Sequence, residues 1–329
     1  MERPLLDHLT SQDLVSTTSL ASLVQGYILN CRCEGKSPST VTTYEEHLRR
    51  FLNYCQQKGI PDQPGKLNAC HLRDFLWYVA SEPVRWSGRP TTARRPVGKS
   101  TVNHYHRVLS TFFRWVEKEE LISENPLAHL KPPKVEQKAV QALSQADVEA
   151  LLDRCSPRKH IGCRDRAIIL VLLDSGMRVS ELANLTIGDV DMKTGAVLIK
   201  NGKGGKQRLV RIGSAARKAL WRYLALYRRG KSDRMFLTRD GEAMKASTCK
   251  LMVRRRGKDA GIPNVHVHRL RHTFAISFLR AGGDIFTLKY LLGHSSLVMV
   301  QNYLKSLNAE DAMKAHERCG PVDHMSLKG

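Results

Sequence analysis

The run Leu130-Lys131-Pro132-Pro133-Lys134 is the sharpest break in this 329-residue chain. Two adjacent prolines remove two backbone donors and clash with any helix that runs into them. The apolar periodicity also differs on its two sides. Before the break every legible period is helical; after it, helical periods are interrupted once by strand alternation. The expectation is a two-domain chain: an all-α N-terminal domain over 1–131, a linker over 132–142, a mainly helical α+β domain with a small antiparallel sheet over 143–306, and a C-terminal tail over 307–329.

In the first part, Ser39-Thr40-Val41-x-x-Tyr44-x-x-x-Leu48 places cap residues before apolar positions at helical spacing, continuing to Phe51, Leu52 and Cys55. The pattern returns as Ser100-Thr101-Val102-x-x-Tyr105-x-x-x-Leu109, through Phe112 and Val116. Two such helices pack through their Val/Tyr/Leu stripes and leave Arg49, Arg50, Arg107 and Arg114 on other faces. The echo follows from shared helix grammar and does not require a duplication. Between them, 85–99 holds Gly88, Pro90, Pro96 and Gly98 among Arg85, Arg89, Arg94, Arg95 and Lys99, and reads as a basic loop.

In the second part, Ser144-x-x-Asp147 has the form of a capping box. The stretch 166–173 is apolar nearly all round and predicts a buried helix ended by Gly176. Ala196-Val197-Leu198-Ile199 and Arg208-Leu209-Val210-Arg211-Ile212 flank the Gly-rich tip Asn201-Gly202-Lys203-Gly204-Gly205-Lys206, a hairpin signal. Met235-Phe236-Leu237 is a candidate third strand. Helices are expected over about 246–260, 268–280 and 287–292, then one capped by Ser296 that carries Tyr303. In the tail, Ala309, Ala312, Met313 and His316 recur at helical spacing.

Charge narrows the class of partner. The formal net charge is +22, of which residues 1–133 contribute only +4. A chain this basic is suited to a polyanion. The longest wholly apolar stretch, 167–173, is far shorter than the ~20 residues that span a bilayer. No charged n-region with an apolar h-region opens the chain, so the expectation is a cytoplasmic, nucleoid-associated protein and no membrane partner. The eight cysteines contain no Cys-x-x-Cys pair, which leaves zinc-ribbon and redox readings without support.

Several side chains could do chemistry, and singly each has a plainer explanation. Arg178 lies at a turn between two helices, where a guanidinium on a rigid base offers a planar fork to phosphate oxygens; most such arginines are merely solvated. His268 and Arg271, spaced i and i+3, share one helix face. His266, His268 and His272 lack a carboxylate or cysteine at a recognised metal-ligand spacing, so no metal is expected. His294 follows the helix stop Gly293. Tyr303 lies nine residues on, three after Val300, and by periodicity alone could be a core aromatic.

Taken together, Gly176-Met177-Arg178-Val179-Ser180-Glu181-Leu182, Gly202-Lys203-Gly204 at a hairpin tip, His268-Arg269-Leu270-Arg271-His272-Thr273-Phe274-Ala275 and Leu292-Gly293-His294-Ser295…Tyr303 resemble the tyrosine recombinase (phage integrase) family. The likeness covers nearly all of 140–305, and the helical region before it looks like that family's SAM-like core-binding domain. The resemblance implies that Tyr303 attacks a DNA phosphodiester to give a 3′-phosphotyrosine, which a different 5′-hydroxyl then resolves without ATP. It assigns Arg178 and Arg271 to the non-bridging oxygens, His294 to a further hydrogen bond, His268 to proton acceptance, Lys203 to the leaving 5′-oxygen and Glu181 to orienting the site. No cofactor and no metal are implied. The implied partners are double-stranded DNA, closed in a clamp, and three further copies in a homo-tetramer on two DNA sites, with accessory or partner recombinases and a tail passed to a neighbour. Arg94, Arg95, Lys99, Lys206 and the run Arg254-Arg255-Arg256 are candidate DNA contacts.

Two other classes fit the same residues: a DNA-binding regulator that has lost the chemistry, and a topoisomerase or relaxase-like nicking enzyme. Within the family, the short N-terminal region resembles chromosome-dimer resolvases of the Xer kind. The basic loop and long tail look more like enzymes that integrate, excise or transpose a mobile element, and that is the reading expected here.

Overall fold

A computed structural model describes residues 19–81, 97–135, 141–200, 207–294, 296–304, 306–307 and 309–319. The chain divides into two compact units, Met1–Gln137 and Lys138–Gly329.

The first unit is helical throughout its described residues: α1 (Leu20–Cys33), α2 (Pro38–Gln57), α3 (Ala69–Ser81) and α4 (Lys99–Lys118), with a 3₁₀ turn at Pro64–Lys66. Ser19 caps α1 by accepting from Ser22 N at 3.0 Å. Ser37 caps α2 with Pro38 in its first turn, two residues ahead of the Ser39 expected from sequence. Gly98 precedes α4 without a side-chain cap. The expected stripes do meet. Val41, Leu48, Phe51, Val102, Tyr105, Leu109 and Phe112 all lie in one core with Leu23, Tyr27 and Phe75. Tyr27 meets Phe112 edge-on at 5.5 Å, and Phe51 meets Phe75 at 5.0 Å. Arg49, Arg107 and Arg114 are exposed as expected, but Arg50 is not. It is buried, with its guanidinium over the rings of Tyr78 and Tyr105, so cation–π contact replaces solvent. The first residues of the expected linker stay with this unit, since Asn103 Nδ2 donates to Pro133 O at 3.1 Å.

The second unit holds α5 (Gln145–Asp153), α6 (His160–Ser175), α7 (Val179–Asn184), β1 (Ala196–Ile199), β2 (Arg208–Arg211), α8 (Ser214–Leu226), α9 (Ala246–Asp259), α10 (Val267–Arg280), α11 (Ile285–Leu292), α12 (Val298–Leu304) and α13 (Ala309–Cys319). The capping box at Ser144 and Asp147 forms with both bonds near 3 Å. Helix α6 is the central strut: Ala167, Ile168, Ile169, Val171 and Leu172 are buried and pack with α8 and α10. It ends at Gly176, whose φ of 60° is the left-handed cap. A Cβ there would lie 2.2 Å from Phe274 Cδ1, so only glycine lets α10 approach this closely.

Strands β1 and β2 are antiparallel, Ala196 opposite Arg211 and Ile199 opposite Arg208. The hairpin tip 201–206, with Lys203 and Lys206, lies outside the described residues, as do Arg94 and Arg95. The third strand is not there. Met235, Phe236 and Leu237 form only isolated bridges on either side, Thr186 with Arg234 and Leu237 with Ala243. All three are buried, and two of their amides donate elsewhere: Met235 N to Leu185 O and Leu237 N to the Tyr223 hydroxyl. A buried connector reads like a buried strand when it is this short.

Candidate active site

Two left-handed glycines organise the centre of the second unit. Gly176 ends α6 and turns the chain into α7, setting Arg178 at the N-cap of that helix. Gly293, φ 62°, ends α11 and presents His294. Each glycine lends its carbonyl to the arginine of the other segment. Arg271 Nη1 donates to Gly176 O at 2.6 Å, and Arg178 Nη2 donates to Gly293 O at 3.0 Å. Residues 178, 271 and 294, distant in sequence, are thereby tied together through two glycine turns.

Arg271 is 5% exposed. Its Nη2 also donates to Leu292 O at 2.7 Å and to His294 Nε2 at 2.8 Å, and the Tyr303 phenol lies near enough to favour its charged form. Burial, then the charge of Arg178, push its pKa down to about 10 against the pull of Tyr303 and Glu181, so it stays cationic at neutral pH. A guanidinium has no acceptor, so His294 Nε2 is the acceptor of this bond. To donate to a phosphate through Nε2, His294 must give up this bond.

Tyr303 stands on α12, whose first amide is capped by Ser296 at 3.2 Å. It is half-buried against Ala275, Leu288, Leu292 and Val300. Its ring stacks on His294, 6.1 Å between centroids at 14°, and meets His272 at 5.2 Å. His268 lies exposed in the first turn of α10. Partial burial, then the positive charges of His266, Arg271, Lys250 and Arg178, hold its pKa below the ordinary histidine value. It is therefore neutral at pH 7 and able to accept a proton.

Behind Arg178 sits Glu181. It accepts from the Arg178 amide at 2.7 Å, from Arg178 Nη1 at 3.0 Å, and from Arg208 Nη1 and Nη2 at 2.9 and 2.7 Å. Burial alone would raise this carboxyl, but those hydrogen bonds overcome it and hold the group below the usual carboxylate range. Arg208 was not anticipated as a site residue. The signal was present: in β2 it shares the inward face with Val210 while Leu209 points out, and a charge on an inward face must be paired. His272 was considered only as a metal ligand. Among the described residues no group of three or more His, Cys, Asp or Glu could hold a metal ion.

Of the candidate DNA contacts, Arg254 and Arg255 are exposed on α9 and Lys99 is exposed at the start of α4. Arg256 is instead a structural partner of the buried Asp165, at 2.6 and 3.0 Å. In the tail, α13 is joined to α10 of its own chain through Arg280 and Asp311 at 2.9 Å.

Two family models match the chain: the phage integrase family over residues 141–310, and the phage integrase N-terminal SAM-like domain over 23–123. Among similar proteins, a tyrosine recombinase XerA from Thermococcus kodakarensis is 33% identical over 296 residues, 89% of this chain and 93% of that one. A tyrosine recombinase XerC from Pseudomonas syringae pv. tomato is 30% identical over 286 residues, 85% of this chain and 90% of that one. Among solved structures, the Tn1549 transposon integrase in complex with transposon right end DNA aligns with TM-score 0.72 at 18% identity, covering 92% of this chain and 100% of the other. A lambda integrase dimer bound to a COC′ core site aligns with TM-score 0.69 at 17% identity, covering 89% and 97%. At these identities the structures speak for the fold: a SAM-like helical domain and a mostly helical domain with a two-stranded antiparallel sheet.

Proposed function

The chain belongs to the phage integrase family, the tyrosine recombinases that cut and rejoin DNA at specific sites, and from that premise we propose that Tyr303 is its nucleophile. The Tyr303 oxygen attacks the scissile phosphorus, the bond to the 5′-oxygen breaks, and a 3′-phosphotyrosine with a free 5′-hydroxyl results. The phosphoester is conserved, so a second 5′-hydroxyl can attack it and reverse the chemistry onto a new strand. His268 accepts the phenolic proton. Arg178, Arg271 and, once released from Arg271, His294 hold the non-bridging oxygens as charge builds on them. Lys203 protonates the leaving 5′-oxygen, and Glu181 orients Arg178.

What supports this reading is the position of Arg271, a buried cation bonded to His294, whose ring stacks on Tyr303, while it feels the charge of Arg178 and lies near the Tyr303 phenol. Tyr303→Phe is expected to abolish the covalent protein–DNA adduct on a nicked duplex while duplex affinity stays within about threefold. Equal loss of adduct and affinity would make Tyr303 structural.

We place the DNA-binding clamp in 1–131 and 143–306 with a linker at 132–142, and a homo-tetramer on two DNA sites as the active form, its 307–329 tails exchanged between protomers. Arg94, Arg95, Lys99, Lys206, Arg254 and Arg255 serve as DNA contacts. In biological role the basic segment 85–99 favours integration, excision or transposition of a mobile element. The Xer names of relatives that match over nine-tenths of their length favour a second reading, dimer resolution. Sequencing DNA trapped on the protein in cells separates them: element termini support the first, a single chromosomal site the second.

A further inference from the structure

We propose that Arg208 is a positioning residue for this reaction, one that engages both oxygens of Glu181 and so restricts Arg178 to a one-armed contact that leaves its guanidinium open to phosphate. The proposal rests on the reading of Arg178 as a phosphate ligand.

Glu181 and Arg178 are three residues apart on one helical turn, close enough to form a forked, two-bond ion pair. They do not. The Arg178 side chain reaches only Oε1, through Nη1, and its other arm goes to Gly293 O, while its backbone amide donates to Oε2 at 2.7 Å. Arg208 adds one bond to each oxygen, Nη1 on Oε1 and Nη2 on Oε2, so that with the Arg178 amide on Oε2 both oxygens are occupied, while its Nε donates to Leu291 O at 2.8 Å. That three-point fit uses the planar fork of arginine and has no lysine equivalent. It also explains the demand for glycine at 293, where a Cβ would lie 2.8 Å from Arg208 Nη1. Arg208 is itself 6% exposed and each of its three guanidinium nitrogens donates to protein, so it is not placed to touch DNA.

The charge count points the same way. Arg178, Arg208 and Arg271 against Glu181 leave an excess of two positive charges at the site. A phosphodiester carries one negative charge and gains a second as the phenolate oxygen adds. Without Arg208 the carboxylate is free to close on Arg178 with both oxygens, and the group facing the phosphate is neutralised at the moment it is needed. One residue on β2 thereby holds α7, through Glu181, and the end of α11, through Leu291, in the register in which Arg178 is usable.

The test compares Arg208→Gln with the unaltered protein on two nicked duplexes at saturating concentration, one with a normal scissile phosphate and one with a neutral methylphosphonate there. On the phosphate, adduct formation should slow on the order of 100-fold, the loss expected when one stabilising donor is removed. On the methylphosphonate, which has no second charged oxygen to hold, the deficit should shrink to within about threefold. An equal deficit on both substrates would mean that Arg208 only supports the fold, and no deficit on either would mean that Arg178 does not depend on it. Either result overturns the proposal. If Arg208→Gln does not fold, Arg208→Lys takes its place and the same ratio decides. Adduct formation at Tyr303 by the unaltered protein checks the underlying reading separately: its absence would sink that reading, while its presence with equal deficits would sink only the role of Arg208.

Discussion

Arg271 divides its guanidinium among Gly176 O, Leu292 O and His294 Nε2, which is how a cation this buried is tolerated. Its neighbour His268, one turn earlier, has the opposite character, exposed and neutral at pH 7. If His268 takes the phenolic proton, adduct formation should be flat near neutrality and fall as pH drops through a midpoint below 6.5, because protonation removes the acceptor. The sign follows from the lowered pKa, which extends the neutral form to more acid conditions. His268→Gln should be slower throughout and lose this acid limb; an unchanged limb would assign it to another group. At this scale the sequence was informative where residue type and order were distinctive, as with Arg178, His268-x-x-Arg271, His294 and Tyr303. For Arg208 it marked a charge on the inward face of a strand but not its partner, a carboxylate 27 positions earlier. It was silent on His272, which meets Tyr303 only because α12 folds back against α10.

The elements that could be read best were those with chemical punctuation. Ser144 with Asp147, Gly176, Gly293 and Ser296 each mark a helix end where expected, since caps are local bonds between near neighbours. The third strand failed because a three-residue apolar run reports burial and not its hydrogen-bond partners. Arg50 failed because the aromatic rings that hold it come from α3 and α4. Gly176 joins the two levels, as a helix stop and as a carbonyl that accepts from Arg271. Gly176→Ala should cost about 2 kcal/mol or more, from the left-handed backbone and the collision with Phe274. Chemical denaturation measures this, and a change below about 0.5 kcal/mol would show that the turn relaxes freely. Because the Gly176 carbonyl moves with its backbone, adduct formation should fall as well.

Over the whole chain, the proline break and the shift in periodicity foretold two kinds of architecture, and the chain does form a helical unit and a mixed unit. The uneven charge, +4 in residues 1–133 out of +22, puts most of the attraction for phosphate in the second. Duplex affinity should therefore drop on the order of 10³-fold between about 50 and about 200 mM salt, as expected for roughly six phosphate contacts. A loss under tenfold would contradict a binding surface built on Lys and Arg. Since guanidinium groups supply the charge at the scissile phosphate in this account, strand cleavage should persist in excess chelator; a magnesium requirement for the covalent step would count against it. The most direct measurement is to trap the protein on a nicked duplex, digest it and identify the DNA-linked peptide by mass spectrometry. The account predicts a single 3′-phosphate ester on Tyr303. A linkage to any other side chain, or strand cleavage that leaves no protein attached, would contradict it.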